Sequence, residues 1–198
     1  MQAIIDACKD GRIEGEVAVV VGVRPDAPAM ERAAAAGVET VVLSPKEFVE
    51  PDDYDRALVD ALQSRRIDLV CLAGYMRKLG QPVIDAYRNR IMNVHPALIP
   101  MFFGQGMYGS RVHEAAIERG IKVSGCTVHF VDEDYDTGPI ILQIVVPVLD
   151  DDTPETLAAR ILPEEHKTYV RAIQLFAEGR LEVVGRRVRI SSSVAAGT

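Results

Sequence analysis

Ile91-Met92-Asn93-Val94-His95-Pro96-Ala97-Leu98 is the stretch from which the rest of this chain can be read. An apolar run carries Asn93 and His95 two residues apart, so on an extended strand both side chains leave the same face. Pro96 has no backbone donor and marks the end of a central strand. An amide donor beside a titratable imidazole, at the end of a buried strand, suits stabilisation of a developing oxyanion. The plainer reading is a strand end whose Asn and His satisfy nearby backbone.

Working outward from that strand, helix and strand alternate, which argues for an α/β fold with a mostly parallel twisted sheet flanked by helices. Gln2–Lys9 reads as a helix closed by Gly11, and Val17-Ala18-Val19-Val20-Val21-Gly22-Val23 as a buried strand. An alanine-rich helix over 27–36 ends at Gly37, and Thr40-Val41-Val42-Leu43 is the next strand. Residues 52–65 have helical spacing with an acidic first turn, as the helix dipole favours. Asp68-Leu69-Val70-Cys71-Leu72-Ala73 is a further strand, and 82–87 a short helix leading to Asn93. Three glycines in Phe102-Phe103-Gly104-Gln105-Gly106-Met107-Tyr108-Gly109 mark a loop, followed by a helix over 112–119. A long helical region spans 153–178, with Pro163 predicting a break or kink. Residues 181–190 read as a hairpin around Gly185, its Arg186-Arg187-Val188-Arg189 run a solvated face. Residues 191–198 are expected to be a disordered tail.

Downstream of His95, Ser124-Gly125-Cys126-Thr127-Val128-His129-Phe130-Val131 alternates like a strand. The acidic turn Asp132-Glu133-Asp134-Tyr135-Asp136-Thr137-Gly138-Pro139 follows it. A carboxylate there can orient an imidazole and favour its charged form. Asp136, held against Thr137-Gly138-Pro139, is the carboxylate singled out for that task, while its neighbours read as solvated loop.

These motifs together resemble the phosphoribosylglycinamide formyltransferase family. The matching stretches are Asn93-Val94-His95-Pro96, Cys126-Thr127-Val128-His129-Phe130-Val131 and Asp136-Thr137-Gly138-Pro139-Ile140-Ile141-Leu142-Gln143, with Leu72-Ala73-Gly74-Tyr75-Met76-Arg77 before them and Glu164-Glu165-His166-Lys167 after. The resemblance runs over residues 1–190 and implies one Rossmann-like formyltransferase domain there. It implies formyl transfer from 10-formyltetrahydrofolate, a co-substrate, to the amine of 5-phosphoribosylglycinamide in de novo purine synthesis, with no metal. Asn93, His95 and Asp136 are then the catalytic residues, with His129 and Thr127 supporting. The folate is expected along Met76, Arg77, Lys78 and Leu79, at Asn93, and against Asp132, Glu133, Asp134, Tyr135 and Asp136. Glu165 matches the carboxylate that holds the ribose hydroxyls, a pair of charge-assisted hydrogen bonds.

The start of the chain departs from the family pattern. Members open with an apolar strand and a Gly-rich loop ending in Ser/Thr-Asn-Leu-Gln-Ala-Ile, whereas here Met1 stands in the place of that Leu. Met1 and Gln2 therefore fall where the helix faces the ribonucleotide phosphate, and a loop that would offer its amides there is missing. A start assigned too late is the expected cause, a real deletion the alternative. The sheet is expected to carry a gap where that strand would lie. Pro51 stands where members carry an Arg for the folate tail, with Lys46 or Arg77 as substitutes.

Composition agrees with a globular protein: 198 residues, 48% hydrophobic and 26% charged, enough for one substantial core. A net charge of −7 argues against nucleic-acid or membrane partners and leaves room for a local cationic pocket. No apolar stretch approaches the roughly 20 residues a membrane span needs. Cys8, Cys71 and Cys126 are odd in number and widely separated, which fits neither a disulfide framework nor a zinc site and suits the cytoplasm. Small-molecule substrates are the expected partners, and a homodimer is allowed. Three alternatives stand beside the main reading. A formyltetrahydrofolate deformylase uses a similar Asn-x-His…Asp set, but His95-Pro96 and the chain length argue against it. Methionyl-tRNA formyltransferase needs a C-terminal RNA-binding domain. The third is a non-catalytic folate-binding protein with a lost phosphate site.

Overall fold

The computed structural model describes residues 1–192. Helix and strand alternate as expected through α1 (Gln2–Lys9), β1 (Val19–Gly22), α2 (Pro28–Ala35), β2 (Glu39–Val42), α3 (Pro51–Gln63), β3 (Val70–Cys71), α4 (Gln81–Ala86) and β4 (Ile91–His95). The chain continues through α5 (Ser110–Glu118), β5 (Val123–Phe130), β6 (Ile140–Pro147), α6 (Pro154–Ala177) and the hairpin β7 (Leu181–Val184)–β8 (Arg187–Ile190). Prolines at the starts of α2, α3 and α6 sit where a missing N–H costs nothing.

Six strands form one sheet in the order β3-β4-β5-β6-β8-β7, and β1 pairs with β2 as a separate parallel ribbon. Pairing is parallel between β3 and β4, then antiparallel from β4 to β5 and from β5 to β6. The α/β class with flanking helices is the expected one. The sheet is mixed because β5 returns antiparallel to β4 although α5 lies between them, and β6 follows β5 through the 131–139 loop with no helix. The six-residue strand expected at 68–73 shrinks to a two-residue ladder. β3 hydrogen-bonds on the β4 side alone, through Val70 N to the Arg90 carbonyl and Leu72 N to the Met92 carbonyl, each 2.9 Å, while β1 and β2 pair with each other.

The inward face of β4 joins the main core. Met92 packs with Val128, Phe130, Ile141, Tyr169 and Val170, and α1 adds Ile4 and Ala7. The Tyr169 hydroxyl lies 2.7 Å from the Met92 carbonyl and 3.0 Å from that of Leu72, which fastens α6 to the ends of β3 and β4. Contrary to the expectation of a break, α6 runs unbroken through Pro163. Leu157 and Ile161 before the proline, and Tyr169 and Val170 after it, are buried, so core packing on both sides offsets the ~3 kcal/mol an interior proline costs. Thr153 and Thr156 cap its start reciprocally.

In the terminal hairpin Arg186, Arg187 and Arg189 are exposed, the solvated face expected. Arg186 also donates to the Thr137 carbonyl at 2.7 Å, which ties the hairpin to the loop that carries Asp136. Ser191, placed in the expected tail, exchanges hydrogen bonds with Arg180; residues 193–198 of that tail lie outside the described residues. Among the described residues no helix is long and apolar enough to cross a membrane.

Candidate active site

Antiparallel register sets the first part of the site. Asn93 lies opposite His129 and His95 opposite Thr127, so four polar side chains share one face at the end of β4 and β5. Thr127, completely buried, works as a staple for the turn after His95. Its hydroxyl donates to the Ala97 carbonyl (2.6 Å) and accepts from the Ile99 amide (3.1 Å) and from Gln143 (3.0 Å). Gln143 also reaches the Ile99 carbonyl at 3.0 Å.

Asp136 is delivered by close backbone contact, beside the side-chain tether from Arg186 to Thr137. A Cβ on Gly138 would lie 1.8 Å from the Phe130 carbonyl oxygen, so only glycine lets the loop press against β5 this closely. The Phe130 amide donates to the Pro139 carbonyl at 2.9 Å, and a bulge between Val128 and His129 shifts the ladder at this level. Asp136 itself adopts a left-handed backbone conformation, φ +57°, a cost that Asp bears better than most residues. Its Oδ1 accepts from Asn93 Nδ2 at 3.3 Å and faces His129 Nε2 at 3.4 Å. Its Oδ2 accepts from the Gly104 amide at 3.2 Å and faces His95 Nδ1 at 3.5 Å. The expected trio of Asn93, His95 and Asp136 is thus brought together, with His129 beside it.

The ring orientations follow from the acceptors around them. His129 Nδ1 lies 2.7 Å from the Phe130 carbonyl, which can only accept, so Nδ1 carries a proton, while Nε2 faces both Asn93 Nδ2 and Asp136 Oδ1 at 3.4 Å. His95 Nε2 lies 2.7 Å from the Phe102 carbonyl while its Nδ1 faces Asp136. A neutral ring can donate to one of these acceptors, and only an imidazolium to both. Burial nevertheless lowers the His95 pKa, with Asp136 and the Phe102 carbonyl opposing it, and the net direction is down. For Asp136 the balance goes the other way. Burial pushes its carboxyl up, but the pull of His129, His95 and the Gly104 amide together holds it below the ordinary carboxylate value. The resting site is therefore an ionised Asp136 beside a His95 that favours its neutral form, whereas the sequence suggested a resting imidazolium.

These groups line one end of a cleft of about 830 Å³. One wall is formed by Met76, Arg77, Lys78 and Leu79 with Asp132, Asp134 and Tyr135, as expected for the folate side. Lys78 and Asp134 join across it at 2.8 Å. Arg77 also lies over the Tyr54 ring of α3 at 5.3 Å, so a cation does stand near α3 although Pro51 occupies its start. Glu133 departs from expectation: it pairs with Arg88 at 2.8 Å and does not line the cleft. Nor do Met1 and Gln2 reach it. Met1 caps α1, and the Gln2 amide donates to Asp6 at 2.8 Å on the surface. Glu165 does line the cleft, from α6, and burial without a compensating partner pushes its carboxyl up to about 7.

Two contributors left no trace in the sequence: the Phe102 carbonyl and the Gly104 amide are backbone groups, which any residue supplies. The loop's glycines signal only that such an approach is sterically open. The thiols stand apart from the site. Burial pushes Cys71 up to about 12 and Cys126 up to about 11, which leaves neither as a ready thiolate.

Comparison with known proteins agrees with this geometry. The sequence profile described as formyl transferase matches residues 1–173. The chain is 39% identical over 183 residues to the phosphoribosylglycinamide formyltransferase of Escherichia coli K12, spanning 92% of this chain and 84% of that protein. It is 42% identical over 181 residues to the chloroplastic phosphoribosylglycinamide formyltransferase of Arabidopsis thaliana, spanning 90% of this chain and 62% of that longer protein. The glycinamide ribonucleotide transformylase 1 structure from Symbiobacterium toebii superposes with a TM-score of 0.90 at 52% identity, over 96% of this chain and 87% of that one. Motif order, site geometry and overall similarity together establish that this chain belongs to the formyl transferase family.

Proposed function

We propose that residues 1–190 form a formyltransferase domain that moves a formyl group from 10-formyltetrahydrofolate to the amine of 5-phosphoribosylglycinamide, a step of de novo purine synthesis. The observation that carries this reading is the convergence of Asn93, His95 and Asp136 within 3.5 Å at one end of the cleft. The wall bearing residues 76–79 suits the reduced folate, because exposed backbone there can read the pterin's hydrogen-bonding edge. Glu165, on α6, suits the ribose hydroxyls of the ribonucleotide.

In this mechanism the substrate amine attacks the formyl carbon and the carbonyl oxygen becomes an oxyanion. Asn93 Nδ2 turns from its resting partners towards that oxygen. The amine's proton passes to His95, whose ring then donates to both the Phe102 carbonyl and Asp136 and places its positive charge beside the oxyanion. A charge absent at rest and present in the transition state lowers the barrier without tightening the ground state. Collapse breaks the bond from the formyl carbon to the folate nitrogen, and that nitrogen takes up the proton held by His95, relayed through Asp136 and water, which returns the ring to its neutral form. The chemistry needs no covalent enzyme intermediate.

The test is direct incubation with both substrates and mass analysis of the products. Formylated ribonucleotide in step with deformylated folate supports the reading. Release of formate at the same rate with and without the ribonucleotide would make water the acceptor and the chain a deformylase.

A further inference from the structure

His113 is the polar side chain in the cleft that the mechanism leaves unused. It sits in the first turn of α5, 6% exposed, between the fully buried Val112 and the core-facing side of the helix that carries Ala116. Its ring lines the cleft, and its charge couples to that of His95. Nδ1 is buried with no hydrogen-bond partner, and among the described residues neither ring nitrogen makes one. A buried polar atom with no partner is uncommon in a folded protein and calls for an explanation. Nε2, equally without a partner, is not among the buried atoms and is the ring nitrogen that a group bound in the cleft can reach.

Position within the cleft selects which substrate. Lys78 and Asp134 tie the 76–79 segment to the acidic loop, whereas α5, which bears His113, packs on α6, which bears Glu165; both pairs line the cleft. A neutral imidazole presents one donor and one acceptor. The two nitrogens point away from each other, so a ligand meets Nε2 alone, and the amide next to the nucleophilic amine of the ribonucleotide offers it either an N–H or a carbonyl. We propose that His113 binds the glycinamide arm of the amine substrate and orients its nitrogen towards His95, which rests on the function proposed above.

Calorimetric titration with 5-phosphoribosylglycinamide alone tests this without turnover. His113→Leu should weaken ribonucleotide binding at least tenfold, leave folate affinity within about twofold, and not lower the melting temperature, because no hydrogen bond of the free protein is lost. His113→Gln, which keeps a polar atom near the Nε2 position, should recover part of the affinity. In wild type the His113 ring nitrogen resonances should move on addition of ribonucleotide and stay in place with folate. Unchanged ribonucleotide affinity in His113→Leu, or loss of both affinities together with a lower melting temperature, overturns the proposal. If His113→Leu does not fold, an unmoved resonance in wild type overturns it alone. A wild type that binds the ribonucleotide but transfers no formyl group refutes the proposed function and leaves the His113 result readable.

Discussion

Replacement of Glu165 by Gln should make the protein more stable above about pH 4.5, by an amount that grows with pH and levels off above about 7. The folded chain keeps this carboxyl protonated up to about 7 because it is buried without a partner, whereas the unfolded chain releases the proton near the ordinary 4.5. Folding therefore takes up a proton between those two values. The group's contribution is fully present below 4.5 and is lost as pH rises through about 7. At about 1.4 kcal/mol per pH unit, the wild type carries roughly 3 kcal/mol of desolvation cost at pH 8 that a neutral amide does not. For a chain of this size that corresponds to a melting temperature about 6–12 °C higher in Glu165→Gln at pH 8, shrinking towards zero near pH 4.5. Ribonucleotide binding should show the reverse. If the ionised carboxylate holds the ribose hydroxyls, wild-type affinity should fall about fivefold from pH 7 to pH 6, and about tenfold per unit below that, beyond any fall in the variant, since ionisation follows one proton. Thermal melts and titrations of both proteins across pH 4.5–8.5 make the comparison. A melting-temperature difference that does not change with pH would show that Glu165 titrates normally, and would refute burial as the controlling influence on it.

Asn93→Ala and His95→Ala should each lower formyl transfer about 100- to 1000-fold, the usual cost of losing one oxyanion-stabilising group, with folate affinity nearly unchanged; near-normal turnover in either variant would remove that residue from the site. Asp136→Asn should depress the His95 pKa further, since Asp136 is the largest influence raising it, and an NMR titration that finds no change would separate the two groups. Gly138→Ala should lower both stability and turnover, because the new Cβ meets the Phe130 carbonyl at 1.8 Å and forces the 132–139 loop, with Asp136, away from β5. If a Gly138→Ala protein keeps wild-type turnover, close approach of this loop is not what places the carboxylate.

Much of the molecule could be read from local pattern. The order of helices and strands, the shared face of Asn93 and His95, and the choice of Asp136 among the acidic residues of its turn all rest on short-range periodicity and on motif. Periodicity survives folding because it is what lets a segment bury one face. Expectations failed where neighbours decide. The strand at 68–73 kept only the rungs Val70–Ile91 and Cys71–Met92, since pairing is a property of two strands and not of one segment's pattern, and α6 tolerated Pro163 because packing on both sides holds it. Glu133 turned outward because Arg88, forty-five positions away, offered an ion pair.

By itself the sequence determined which residues can carry the chemistry and in which order the elements that bear them follow. Only the tertiary structure decided how those residues are charged and which of their hydrogen bonds remain open. The His95 ring rests towards neutrality, Glu165 holds its proton to about 7, and His113 is left without a partner. Burial, the Phe102 carbonyl and the Gly104 amide set these states. They depend on how far each group lies from water and from backbone dipoles contributed by other parts of the chain, and no spacing of residue types encodes that distance.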